Sequence, residues 1–152
     1  MEAILPALPL PTLLAFIERT AEAVGAYFGG FPVPRTSIQI DLGAGRRGFG
    51  QGNARFVGLP RIRLVLGSET EPDDLRRDWV LAHELVHLGF PSVNESHHWM
   101  EEGLATYVEP IARARAGELP AAKVWSDLVE HLPRGLPAPG AIRRAITAAH
   151  RP

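Results

Sequence analysis

The chain has 152 residues, no cysteine and a formal net charge of −1 at pH 7. That length suits one domain with a sizeable core, and the lack of thiols closes disulfide, cysteine–zinc and thiol-nucleophile chemistry. The mixed charge argues against nucleic acid as a partner, because Arg46-Arg47 and Arg143-Arg144 read as short solvated pairs.

No apolar run reaches the ~20 residues of a membrane span. Residues 4–17 are apolar, but Pro6, Pro9 and Pro11 interrupt them and no basic residue precedes them. They make a poor signal peptide, although a leader already removed would leave the same pattern. The 15 Gly and 14 Pro imply many turns and short elements.

Thr12 is expected to cap an amphipathic helix of about 17 residues, with Leu13, Ile17, Thr20/Ala21, Val24 and Phe28 at helical spacing and Gly29-Gly30 as its stop. Phe31–Pro34 is a turn, and Thr36–Leu42 alternates like a strand. Gly43-Ala-Gly-Arg-Arg-Gly48 has the G-x-G-x-x-G spacing of a dinucleotide loop. That reading needs a helix opening at the last glycine. Phe49-Gly-Gln-Gly-Asn53 cannot start one, so a glycine-rich hairpin or loop is expected. Arg55–Gly58 and Arg61–Leu66 read as two short strands around Leu59-Pro60.

Thr70 as cap, Pro72 in the first turn and Asp73 at capping-box spacing predict a helix from about residue 71 to 88, stopped by Gly89 with Pro91 beyond. Leu75, Trp79, Ala82 and Val86 form its expected core stripe. Asn94 or Ser96 can cap a second helix, Trp99–Glu109, which Pro110 should kink or interrupt. A third is expected over Pro120–Leu132, with Val124, Trp125, Leu128 and Val129 on one side, and a short last one over 141–150. No repeat or linker divides the chain. The expectation is a single α+β domain spanning residues 1–152.

The stretch that bears chemistry is His83-Glu84-Leu85-Val86-His87, an H-E-x-x-H inside the apolar segment Trp79–Leu88. On a helix, residues four apart share a face. Both imidazoles can then reach one zinc ion at about 2.0–2.1 Å, with Glu84 beside it as base for a water. The alternative is a coincidental pattern in a buried helix. A zinc centre needs a third protein ligand and an open position. The three-histidine pattern H-E-x-x-H-x-x-G-x-x-H is excluded, because Phe90 and Val93 stand where it needs Gly and His. Glu101 and Glu102 are the natural carboxylates on the following helix. Asp127 is discounted as an ordinary helix-face residue, and His97 and His98 read as an exposed pair at the helix entry.

Ala82-His-Glu-Leu-Val-His-Leu88 followed by Trp99-Met-Glu-Glu-Gly-Leu-Ala105 resembles the gluzincins, the thermolysin-like zinc peptidases. It is closest to the branches with the one-domain aminopeptidases and the glycyl aminopeptidases. The resemblance covers roughly residues 12–110. It implies a zincin-like domain with an N-terminal helix, a small mixed sheet of 3–4 strands, an edge strand by the cleft, an active-site helix, a glutamate helix and a short helical tail.

The resemblance also assigns roles. The zinc ligands would be His83, His87 and Glu102 rather than Glu101, with Thr106, one turn on, as a supporting residue. Glu84 would be the catalytic base of a peptidase, taking a proton from the zinc-bound water and passing it to the leaving amine. The edge strand, expected near residues 50–57, would hold the substrate backbone by strand addition. Gly103 would allow close approach to the H-E-x-x-H helix.

One expected part is weak. The family's oxyanion donor is commonly a Tyr or His in a C-terminal helical subdomain. Tyr107, His131 and His150 are the only candidates, and Tyr107 reads as core. The expectation is therefore a truncated or minimal member, with a zinc-binding but catalytically weak domain that binds peptides or a protein partner as the alternative.

Overall fold

The structure, a computed structural model, describes residues 8–56, 58–90 and 92–131. Within them the chain is α+β, with five α-helices and one small mixed sheet. Helix α1 spans Leu10–Phe28. Strands β1, Ser37–Gly43, β2, Phe49–Arg55, and β3, Arg61–Gly67, follow. Then come α2, Pro72–Arg77, α3, Val80–His87, a 3-10 turn over Glu95–His97, α4, His98–Arg115, and α5, Ala121–His131.

The sheet order is β1-β3-β2. β1 lies parallel to β3, with Ser37 opposite Arg61 and Gly43 opposite Gly67. β2 runs antiparallel on the other side of β3 and slips register between Phe49 and Gln51. Period two makes the sheet one-sided. Ile62, Leu64 and Leu66 of β3 are fully buried, and Ile38, Ile40 and Leu42 of β1 join them. Arg61 and Arg63 face solvent.

The helices cover the buried face. Leu13, Phe16 and Val24 of α1 meet Leu81, Leu85 and Val86 of α3, while Ala105 and Val108 bring α4 onto the same core. All eight residues of α3 are buried. A helix that short has almost no stability of its own, so α3 exists because its whole circumference is packed. Each buried Leu or Val there contributes about 1.5–3 kcal/mol of transfer free energy.

Several expectations give way. The single helix over 71–88 is two helices, because Asp78 takes an extended backbone (φ −72, ψ 135) between them. Its carboxylate accepts the N–H groups of Phe49 at 2.8 Å and Val80 at 2.9 Å. This one side chain caps α3 and pins the start of β2. Trp79 leaves the core stripe and is 52 % exposed. The cap of α2 is Glu71 with Asp74, which accepts the Glu71 N–H at 2.9 Å, and not Thr70 with Asp73. The Thr70 hydroxyl instead donates to Gly67 O and accepts from Gly48 N, closing the glycine loop.

That loop joins β1 to β2 across the end of β3. It opens a strand, not a helix, which removes the dinucleotide geometry. The strand expected at Arg55–Gly58 lies earlier, on Phe49–Arg55. Pro110 does not interrupt α4, which runs through it to Arg115. On α5 only Val124 is buried, and Trp125 and Val129 are exposed. Residues 141–150 lie outside the described residues, as does Val57. Among the described residues no helix is long and apolar enough to cross a membrane.

Candidate metal centre

His83 and His87 fall one turn apart on α3, and Glu102 comes from the first turns of α4 packed against it. Their ligand atoms converge. Nε2 of His83 is 3.2 Å from Nε2 of His87 and 3.2 Å from Oε2 of Glu102. Nε2 of His87 is 3.4 Å from Oε1 of Glu102. The two histidines are buried, and the glutamate side chain is 46 % exposed. A tetrahedral ion with bonds of about 2.0–2.1 Å sets its ligand atoms about 3.3 Å apart. The spacing of the two imidazoles matches that and each Glu102 oxygen lies near one of them, so this His-His-Glu group could hold a metal ion.

Trp79 meets the His83 ring edge-on at 5.4 Å, and the two imidazoles cross at 79°. His83 Nδ1 is buried and has no hydrogen-bond partner among the described residues. A metal-binding histidine commonly donates from its other ring nitrogen, so this centre lacks that support on one ligand. Burial, with His83 adding to it, holds the His87 imidazole below its usual pKa, the direction that favours the neutral ring a metal needs.

Glu84 lies on the same helix and faces the edge strand β2. A Cβ at Gly52 would come within 2.5 Å of its carboxylate, and the Ala54 N–H hydrogen-bonds it. Burial, reinforced by the nearby Glu102 charge, pushes the Glu84 carboxyl up to about 7, with the Ala54 bond pulling the other way. A group that titrates there can both take and return a proton near neutral pH.

These residues open into a cleft of about 460 Å³. One wall is Gly52, Asn53, Ala54 and Phe56, and the floor holds Glu84 and His87. The other wall is Ser92, Val93 and Glu95 with His98, Glu101 and Glu102.

Other expected site residues fall elsewhere. Thr106 is exposed and lines a groove between α4 and α5, away from this cleft. Tyr107, expected in the core, is 45 % exposed and does not line the cleft. His131 ends α5 beside the Asp127 carbonyl, and Asp127 pairs with Lys123. His150 lies outside the described residues. Gly103 has open space where a Cβ would sit, so among the described residues no close approach explains it; Ala105 makes the contact with the core.

His98 is the residue that sequence reasoning undervalued. Its ring, 59 % exposed, is held between two carboxylates, Nδ1 at 2.9 Å from Glu101 and Nε2 at 3.2 Å from Glu102. The Glu101 hydrogen bond raises its pKa. The available signal was spacing: His98, Glu101 and Glu102 stand at i, i+3 and i+4, so they share one helix face.

No family model matches the chain, and no curated protein or solved structure matches it either.

Proposed function

We propose that this chain is a zinc-dependent peptidase with a zincin-like, gluzincin-type architecture. The observation that carries the reading is the position of Glu84. A purely structural His-His-Glu site needs no buried carboxylate beside it. Here one is set on the same helix as two ligands, inside an open cleft and against an edge strand. The donor set, two imidazoles and one carboxylate, suits zinc with a position left for water. When bound, the ion supplies the Lewis acidity that activates water and polarises a carbonyl.

The chain's own residues then divide the work. His83, His87 and Glu102 fix the geometry of the centre. The raised Glu84 carboxyl accepts a proton from the attacking water and hands it to the leaving amine. Among the described residues the outer edge of β2 pairs with no other strand, and such an edge suits an extended peptide.

A second reading has its own support. The described residues that line the cleft include no tyrosine, and the one exposed histidine there has both ring nitrogens engaged by carboxylates. The Tyr or His donor expected for a developing oxyanion is therefore not free among them. That favours a metal-binding domain that holds peptides and cleaves them poorly.

The two readings part in one experiment. Metal content is measured by mass spectrometry, then cleavage of a peptide mixture is followed for wild type and Glu84→Gln, with and without chelator. Chelator-sensitive cleavage that Glu84→Gln abolishes is the expected result. Bound zinc without cleavage supports the second reading, and absence of zinc rejects both.

A further inference from the structure

We propose that His98 and Glu101 form a clamp that positions Glu102 as a metal ligand and ties it to the loop forming one wall of the cleft; this rests on the metal-centre reading above. The three ligands do not start equal. His83 and His87 are buried on a helix packed on all sides, so their rotamers are set before any ion arrives. Glu102 is nearly half exposed and has a long side chain to immobilise. Of the three ligands, it is the one that needs outside help.

The help is a continuous chain of contacts. Glu101 Oε1 accepts the backbone N–H of Val93 in the cleft wall. Glu101 Oε2 is 2.9 Å from His98 Nδ1, and His98 Nε2 is 3.2 Å from Glu102 Oε1. The same Oε1 lies 3.4 Å from His87 Nε2, and Oε2 faces His83. Glu101 is 14 % exposed, so it forms a firm base for the ring although His98 itself is open to solvent. With one ring nitrogen against each carboxylate, His98 has none left for a metal or a substrate. His98 is a positioning residue.

Full-length wild type, His98→Ala, Glu101→Gln and His98→Gln are titrated with Zn²⁺ against a chromophoric chelator. The visible absorption of their Co²⁺ forms is recorded as a measure of ligand geometry, and far-UV circular dichroism reports the fold. His98→Ala and Glu101→Gln are expected to lose about 10–100-fold in Zn²⁺ affinity with unchanged helix content and an altered Co²⁺ band. His98→Gln should recover part of the loss, because its amide N–H can still donate to Glu102. If His98→Ala loses helix content, Glu101→Gln decides on the same scale.

Wild-type affinity and an unchanged Co²⁺ band in His98→Ala would overturn the clamp and leave the metal centre standing. A glutamine variant no better than alanine would reduce His98 to a packing contact and overturn it too. Wild type that binds neither ion would remove the metal-centre reading and the clamp with it.

Discussion

Gly52 and Glu84 touch across the boundary between sheet and helix: a Cβ at Gly52 would lie 2.5 Å from the Glu84 carboxylate. The edge strand can pass this close only because position 52 has no side chain. Gly52→Ala must push the carboxylate aside or lift β2, at about 1–3 kcal/mol of overpacking. It leaves His83, His87 and Glu102 in place. The expected outcome is near-normal Zn²⁺ affinity with peptide cleavage reduced at least tenfold. Equal loss of both would mean that the strand supports the whole centre, and loss of neither would remove Glu84 from the chemistry.

Metal binding should also stabilise the fold, since the ligand atoms converge only when α3 and α4 are packed. At free Zn²⁺ of 100 times the dissociation constant the gain is about 2.7 kcal/mol. Thermal unfolding with increasing Zn²⁺ should show a rising midpoint that excess chelator reverses. His83→Ala should abolish the dependence. A flat midpoint in wild type would mean that the three side chains do not act as one site.

Trp79 gives a separate optical readout, because its indole sits 5.4 Å from the His83 ring. Co²⁺ at the triad should quench its fluorescence. Trp79→Phe should remove the larger part of the saturable quenching, the remainder coming from Trp99, three residues before Glu102 on α4. Saturable quenching that survives in His83→Ala would place the ion elsewhere.

Asp78 joins what the sequence presents as one helix. Asp78→Ala leaves the Phe49 and Val80 N–H groups without their acceptor. The expected cost is about 1–3 kcal/mol, read as a lower urea midpoint. Because the same carboxylate holds β2 and the start of α3, Zn²⁺ affinity should fall with stability. A change below 0.5 kcal/mol, roughly the level of an ordinary surface substitution, would show that water replaces the carboxylate.

What was legible in the chain follows from how each feature is encoded. The two histidines were legible because residues at i, i+4 spacing share a helix face whatever the fold, whereas Glu102 was preferred to Glu101 only through the family resemblance. Helix α1 and strand β3 were legible as periodic apolar runs. Local pattern set this strand too late, at Arg55–Gly58, because Phe-Gly-Gln-Gly-Asn-Ala-Arg has poor strand propensity, while the edge strand implied near residues 50–57 overlaps the observed β2. Its glycine is chosen by contact with Glu84, a tertiary demand that no local pattern carries. The break at Asp78 was hidden for the same reason, since its carboxylate answers an amide 29 residues away. Pro110 misled in the other direction: packing of Val108, Glu109 and Ala112 keeps α4 continuous despite the missing N–H.

Asp74 supplies the pH dependence. It accepts the Glu71 N–H and the Arg47 guanidinium at 2.9 Å, and these hold its carboxyl below its usual 3.8, the backbone bond first and Arg47 second. The folded pKa is depressed, so the ionised form favours folding. That contribution is fully present above 3.8 and is lost as pH falls below it through the folded value. The unfolding midpoint of wild type should therefore drop on acidification in that window, and Asp74→Asn should flatten that limb while lowering the neutral plateau. Arg47 also pairs with Glu71 at 2.7 Å, so the same variant should loosen the glycine loop against α2. Faster amide exchange at Gly48 and Glu69 than at Leu64 would report this. An acid limb identical in wild type and Asp74→Asn would assign the acid sensitivity to other carboxylates.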